Sequence, residues 1–164
     1  MAVYSAQVLY RCATYSECFR WPADRADSGA VGSYGRLRAN NSSAMKMGAL
    51  LAIHAATDLS TMGLETEPAR QLAWTLQNYG AYIDDTLGEP SFALDAEAGY
   101  NGSVLTQFQA DWGFSMEQRV NSNSPWSRDI QRLMTALQVV NNNSPTSIGG
   151  GGTPRQPLAP PLGR

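Results

Sequence analysis

The sequence predicts a single α+β domain in which short strands from the N-terminal half pack against three helices, followed by an irregular tail rich in proline and glycine. Three observations predict it. Apolar residues recur at helical spacing in three capped segments downstream of Glu65, β-type runs open the chain and lead up to His54, and no periodic pattern survives beyond Val140. The expected boundaries are 1–145 for the domain and 146–164 for the tail, either laid over the domain or loose as a linker. A chain of 164 residues that is 43% hydrophobic can support one core, burying roughly 70% of its unfolded surface.

The opening residues alternate, with Val3, Ser5, Gln7 and Leu9 on one side and Tyr4, Ala6, Val8 and Tyr10 on the other, which predicts a strand. A start inside a strand, without the basic region and long apolar stretch of a signal peptide, reads as an excised piece. Cys12 and Cys18 follow. Their spacing allows a disulfide in an oxidising compartment or two buried free thiols. The stretch from Phe19 to Ser43 is polar and carries glycines, and the Trp21-Pro22 step bars a helix through that point, so a long surface loop is expected. Met45, Met47, Ala49, Leu51 and Ile53 alternate in MKMGALLAIH and predict a buried strand; Gly48 argues against the alternative, a helix. Asp58 is placed to cap the turn DLSTMG.

The most informative stretch is ETEPARQLAWTLQNYGAYIDDT. Thr66 is a natural N-cap, Pro68 sits in the first turn, Ala69, Leu72, Ala73 and Leu76 share a face, and Gly80 stops the helix. A strand then delivers Asp84 and Asp85. Downstream, Ser103 caps a second helix whose stripe of Leu105, Phe108 and Trp112 is closed by Gly113. Ser124 and Pro125 open a third, with Trp126, Ile130, Leu133, Met134 and Leu137 on one face.

Composition excludes some functions. The net charge is -2, from 14 acids against 12 bases, and no basic run occurs, so nucleic acid is not an expected partner. No stretch approaches the ~18 apolar residues of a membrane span. Only 16% of residues are charged, against roughly 25% in typical domains, a bias that suits an exported protein. No cofactor is expected: the glycine run Gly149 to Gly152 lacks the Lys and Ser or Thr of a phosphate loop. A zinc site is disfavoured by a single histidine, His54, and a calcium loop spacing is absent, although Asp24, Asp27, Asp84 and Asp85 are the oxygens a metal would use.

Those four aspartates are the candidate catalytic groups. Cleaving a glycosidic bond takes one carboxyl to protonate the leaving oxygen and another to stabilise or attack the sugar carbon. Neighbours on a strand point to opposite faces, so Asp84 and Asp85 are not expected to form the pair themselves. The partner is sought in RWPADRAD, as Asp24 or Asp27. The competing bland explanation is a turn made by Asp85 with Thr86 and a surface ion pair between Asp24 and an arginine. Trp21, Arg20, Arg25 and Tyr82 are the candidate substrate-binding residues, whereas Trp74, Trp112 and Trp126, on predicted helices, are expected in the core.

The blocks RWPADRAD, MKMGALLAI, LAWTLQNYGAYIDDT and NNNSPTSIGGGGTPRQPLAPPL resemble the C-terminal portion of an uncharacterised family of large secreted bacterial proteins from polysaccharide-degrading organisms. The resemblance implies an extracellular or cell-surface location, a glycan substrate and a β-rich N-terminal half preceding Met1; it supplies no catalytic residues. The expected function is therefore an extracellular carbohydrate-active protein, a glycoside hydrolase using paired aspartates on a polysaccharide. The alternative is a non-catalytic glycan-binding or surface-assembly module, with a partner chain or the missing half docking at the first strand.

Overall fold

The structure, a computed structural model, describes residues 2–36, 42–87, 92–100, 102–117 and 122–157. Its elements in chain order are β1 (Ala2–Ser5), α1 (Ala30–Ser33), β2 (Leu50–Ile53), α2 (Glu67–Asn78), β3 (Ala81–Leu87), β4 (Phe92–Leu94), β5 (Ala98–Gly99), β6 (Gly102–Ser103), α3 (Val104–Trp112), α4 (Pro125–Ala136) and β7 (Leu137–Val139). The fold is α+β, as the sequence predicts. Five strands form one mixed sheet in the order β4-β1-β3-β2-β7, with β1 parallel to β3 and the other neighbours antiparallel; β5 and β6 pair separately.

The three long helices start where the sequence places them, but α4 ends at Ala136, so Leu137 of its expected stripe lies in β7 instead. Ser124 Oγ accepts from the Ser127 amide at the start of α4, and Gly113 ends α3 in the left-handed conformation. Asp58 accepts from Ser60 N to start a 3₁₀ turn over Leu59–Met62. Gly80, at φ +71°, has no room for a side chain: a Cβ there would lie 2.4 Å from the Leu51 carbonyl oxygen. The close passage of this turn over β2 sets the entry of β3.

The N-terminal half departs from expectation in three places. The first strand ends at Ser5, because the Ser5 hydroxyl accepts from Gln7 N and turns the chain into a 3₁₀ segment, Ala6–Val8. The alternation of Gln7 to Tyr10 is thus not strand periodicity. In MKMGALLAIH only Leu50–Ile53 is strand, since Gly48 at φ +81° turns the backbone and would press a Cβ to within 2.2 Å of the Arg20 carbonyl. Within Phe19–Ser43, Ala30 and Tyr34 are fully buried, so that stretch contributes core as well as surface. Its Trp21-Pro22 bond is cis. β1 is also internal among the described strands, flanked by β3 and β4, so it is not the open edge the sequence suggests. Among the described residues no helix is long and apolar enough to cross a membrane.

Two apolar clusters hold the domain together. One joins Leu9, Cys12, Cys18, Ala30, Tyr34, Met47, Ala49, Leu51 and Ile83 beneath the N-terminal loops; the other joins Ile53, Ala69, Ala73, Leu76, Trp126 and Leu133 between β2, α2 and α4. Leu137 touches both. Cys12 and Cys18 are disulfide-bonded, which resolves the alternatives left by their spacing. The bond closes a small loop around the 3₁₀ turn Tyr15–Glu17, where Glu17 accepts from the Ala13 and Thr14 amides. A loop this short removes roughly 2 kcal/mol of unfolded-state entropy. Converting both cysteines to serine is expected to lower unfolding free energy by about that amount or more, read by urea denaturation with and without reductant on the wild-type chain.

The segment that follows β7 is tied down as well. Arg20 donates to the Asn141 carbonyl at 2.7 Å, the Asn143 carbonyl at 3.0 Å and the Ala44 carbonyl at 3.4 Å. Asn143 is buried and its Oδ1 accepts from Gly149 N, while Asn142 Nδ2 donates to the Gly150 carbonyl. The segment beyond residue 145 is therefore continuous with the domain at least as far as a 3₁₀ turn over Ile148–Gly150.

Candidate functional site

β3 carries the carboxylates into the middle of the sheet, and its register explains how they are presented. Ala2 of β1 stands opposite Ile83, but Val3 stands opposite Asp85, so β3 advances two residues while β1 advances one. Asp84 is the extra residue of a bulge. Strict alternation stops there, and the inference that Asp84 and Asp85 must point oppositely does not carry through the bulge. Bulges of this kind re-aim side chains and favour active sites.

Asp84 meets a partner that the sequence reading did not find. Leu94 lies opposite Ala2 on the other flank of β1, and Asp95 follows it directly. Asp84 and Asp95 approach one another across the start of β1, within hydrogen-bond contact. Asp84 is exposed as a residue, but partial desolvation of its carboxyl, the hydrogen bond to Asp95 and the repulsion of that charge together push the carboxyl up to about 6. A carboxyl held against a second carboxyl keeps its proton to higher pH, because ionising it beside that charge is costly. Asp95 lies in LDAEAG, a stretch without periodicity; only the pairing of β4 with β1 brings it to β3.

The Trp21 loop reaches the far end of β3 through Asp27. Asp27 Oδ2 accepts from Tyr34 Oη at 2.8 Å and from Thr86 Oγ1 at 2.7 Å. Burial and the bond to Asp27 hold the Tyr34 phenol well above its ordinary range, with Asp85 adding to the local negative field. Asp85 itself accepts from Thr86 N at 2.7 Å, the turn-like contact of the bland explanation. Asp27 and Asp85 thus share one neighbourhood with Tyr34 and Thr86.

Other predicted site residues stand apart. Asp24 and Arg25 pair with each other at 2.9 Å in open solvent, with side chains 75% and 78% exposed; such a pair contributes little and positions nothing. Arg20 is held by the backbone carbonyls of Ala44, Asn141 and Asn143. Trp21 is half-buried beside the cis bond, and Tyr82 is half-buried on β3 opposite Leu50. His54 is exposed, its Nδ1 accepting from Ala56 N. Of the helical tryptophans only Trp126 is buried in the core; Trp74 is 44% exposed and stacks edge-on with Tyr79, 5.8 Å between centroids. Among the described residues no group of three or more His, Cys, Asp or Glu side chains is placed to hold a metal ion.

Comparison of the chain with known protein families, curated proteins and solved structures finds no match.

Proposed function

We propose that the chain is an extracellular carbohydrate-active domain that hydrolyses glycosidic bonds, with Asp84 as the proton donor. The observation that carries this reading is the contact between Asp84 and Asp95, which keeps a carboxyl protonated close to neutral pH. A general acid needs that, since its proton must still be present when the glycosidic C–O bond breaks and the departing oxygen takes it up. The second carboxylate is drawn from Asp85 and Asp27, one exposed and one aligned by two hydroxyls. Tyr82, two residues before Asp84, offers the sugar an aromatic surface. The disulfide is compatible with an oxidising, extracellular setting.

Asp84→Asn is expected to lower turnover of a polysaccharide by about a hundredfold or more. Asp95→Asn is expected to shift the pH profile, and Asp24→Asn to leave rate and profile unchanged. Activity that survives Asp84→Asn, Asp85→Asn and Asp27→Asn singly would defeat the enzymatic reading.

A second reading, a non-catalytic glycan-binding module, is favoured by the exposed rings of Trp74 on α2 and Tyr79 just after it, whose edge-to-face pairing leaves aromatic surface for stacking against a sugar. Under it, saccharide binding occurs without turnover and is lost in Trp74→Ala while Asp84→Asn has no effect.

A further inference from the structure

A constellation on α4 plays no part in that chemistry. Arg128, Gln131, Arg132, Thr135 and Ala136 recur every three or four residues on one face of the helix and, with Met62, line an open groove of about 550 Å³. Its two guanidinium groups are differently engaged. Arg128 donates from Nε to Glu65 Oε1 at 2.8 Å and from Nη2 to Glu65 Oε2 at 2.5 Å, a side-on fork, while Nη1 reaches the Asn123 carbonyl. Arg132 uses Nη1 alone, donating to Glu65 Oε1 at 2.8 Å and Asp129 Oδ1 at 3.0 Å. Its Nε and Nη2 find no acceptor among the described residues, and its side chain is 39% exposed. Those two N–H groups form the edge that matches a carboxylate bidentately.

The anchor is firm. Both arginines hold the Glu65 carboxyl down to about 2, so Glu65 stays ionised across the working pH range and Arg132 is oriented before any ligand arrives. The lining also has a defined chemistry. Met62 and Ala136 supply aliphatic surface, and the Thr135 hydroxyl gives its proton to the Gln131 carbonyl at 2.8 Å, which leaves its oxygen as an acceptor.

We infer that this groove binds an acidic saccharide through a uronate carboxylate lying side-on against Nε and Nη2 of Arg132, with the sugar ring over Met62 and Ala136. The inference rests on the glycan reading above and names the class of glycan. Two arginines are balanced here by Glu65 and Asp129, so the fork rather than net positive charge must supply selectivity.

The test titrates the full chain with trigalacturonate and with its methyl ester, which removes the carboxylate charge but keeps the ring. Binding of the acid at least about tenfold tighter than the ester is expected, with a shift of the Arg132 Nε resonance. Arg132→Lys keeps the charge and a contact to Glu65 but lacks the fork, and should weaken the acid about tenfold. Thr135→Leu, at an exposed position outside the ion network, should block the groove with folding intact. Equal affinity for acid and ester, or binding indifferent to both variants, would overturn the inference. If neutral saccharides bind and trigalacturonate does not, this inference fails and the glycan reading stands; if no saccharide binds, both fail.

Discussion

Asp129→Ala is expected to cost about 4 kcal/mol of unfolding free energy, enough to unfold much of the population of a marginally stable domain. Asp129 is fully buried on α4, 0% exposed, and serves a helix more than sixty residues away in sequence. Its Oδ1 and Oδ2 accept from Glu65 N at 2.9 and 3.0 Å, and Oδ2 also accepts from Thr66 N and Thr66 Oγ1, both at 2.8 Å. Thr66 is the N-cap of α2, yet its own side chain caps nothing within the helix. The hydroxyl is given to Asp129 instead, so a carboxylate from α4 satisfies amides at the start of α2 and sits at the positive end of its dipole. Alanine would leave those part-buried donors without partners and strip Arg132 of one acceptor. Asn at 129 keeps one acceptor oxygen but turns an amide N–H₂ toward other donors, and should cost roughly half as much. Urea denaturation of the two variants reads both values. Equal, small losses would show that the clamp between α2 and α4 contributes little.

Trp126→Ala is expected to be of similar size, about 4 kcal/mol. The indole is buried in the second cluster and packs against Phe108 at 5.0 Å and Phe114 at 6.0 Å between centroids, while its Nε1 donates to the Met116 carbonyl at 2.9 Å. One side chain thereby joins α4, α3 and the segment after Gly113. Trp126→Phe retains ring packing but leaves the Met116 carbonyl without its donor, and should cost about 1–2 kcal/mol. If the two variants lose the same free energy in a denaturant series, the hydrogen bond rather than the packing dominates.

The helices were legible because caps, stripe and stop agree along ETEPARQLAWTLQNYG and SPWSRDIQRLMTAL, so local preference and tertiary packing point the same way. Asp129 was not. Between Arg128 and Ile130 it reads as one more polar position on an amphipathic helix, and only the arrival of Glu65 and Thr66 turns it into a buried acceptor. The strands were less legible. β1 and β4 span only Ala2–Ser5 and Phe92–Leu94, and β7 follows α4 directly, so their pairing depends on neighbours brought in from afar. The same limit applies to the site. Asp84 and Asp85 announce themselves as paired acids, but the bulge that re-aims them is a matter of register against β1, and Asp95 is recruited by a strand invisible to periodicity. The approach of Asp27 to the end of β3 is an expectation from residue chemistry that the geometry meets; that of Asp24 is not met, because its side chain lies in open solvent, paired only with its neighbour Arg25.

A raised carboxyl pKa has a consequence for stability. The folded chain holds the Asp84 proton to about pH 6 while the unfolded chain releases it near the ordinary aspartate value, so this group stabilises the fold at low pH. That contribution fades as pH rises from about 4 through 6, by about 1 kcal/mol once solvent screening at an exposed site is allowed for. Glu65 acts in the opposite sense, stabilising above its unfolded value and losing its contribution as pH falls toward 2.

The most direct measurement is an NMR titration of the Asp84 and Asp95 side-chain carboxyl carbons in the wild-type chain and in Asp95→Asn. A midpoint near pH 6 for Asp84, moved down toward the ordinary aspartate range when Asp95 is replaced, is the predicted result. Asp84 titrating as an ordinary carboxylate, with no response to Asp95→Asn, would contradict the raised Asp84 carboxyl on which the proposed acid catalysis depends.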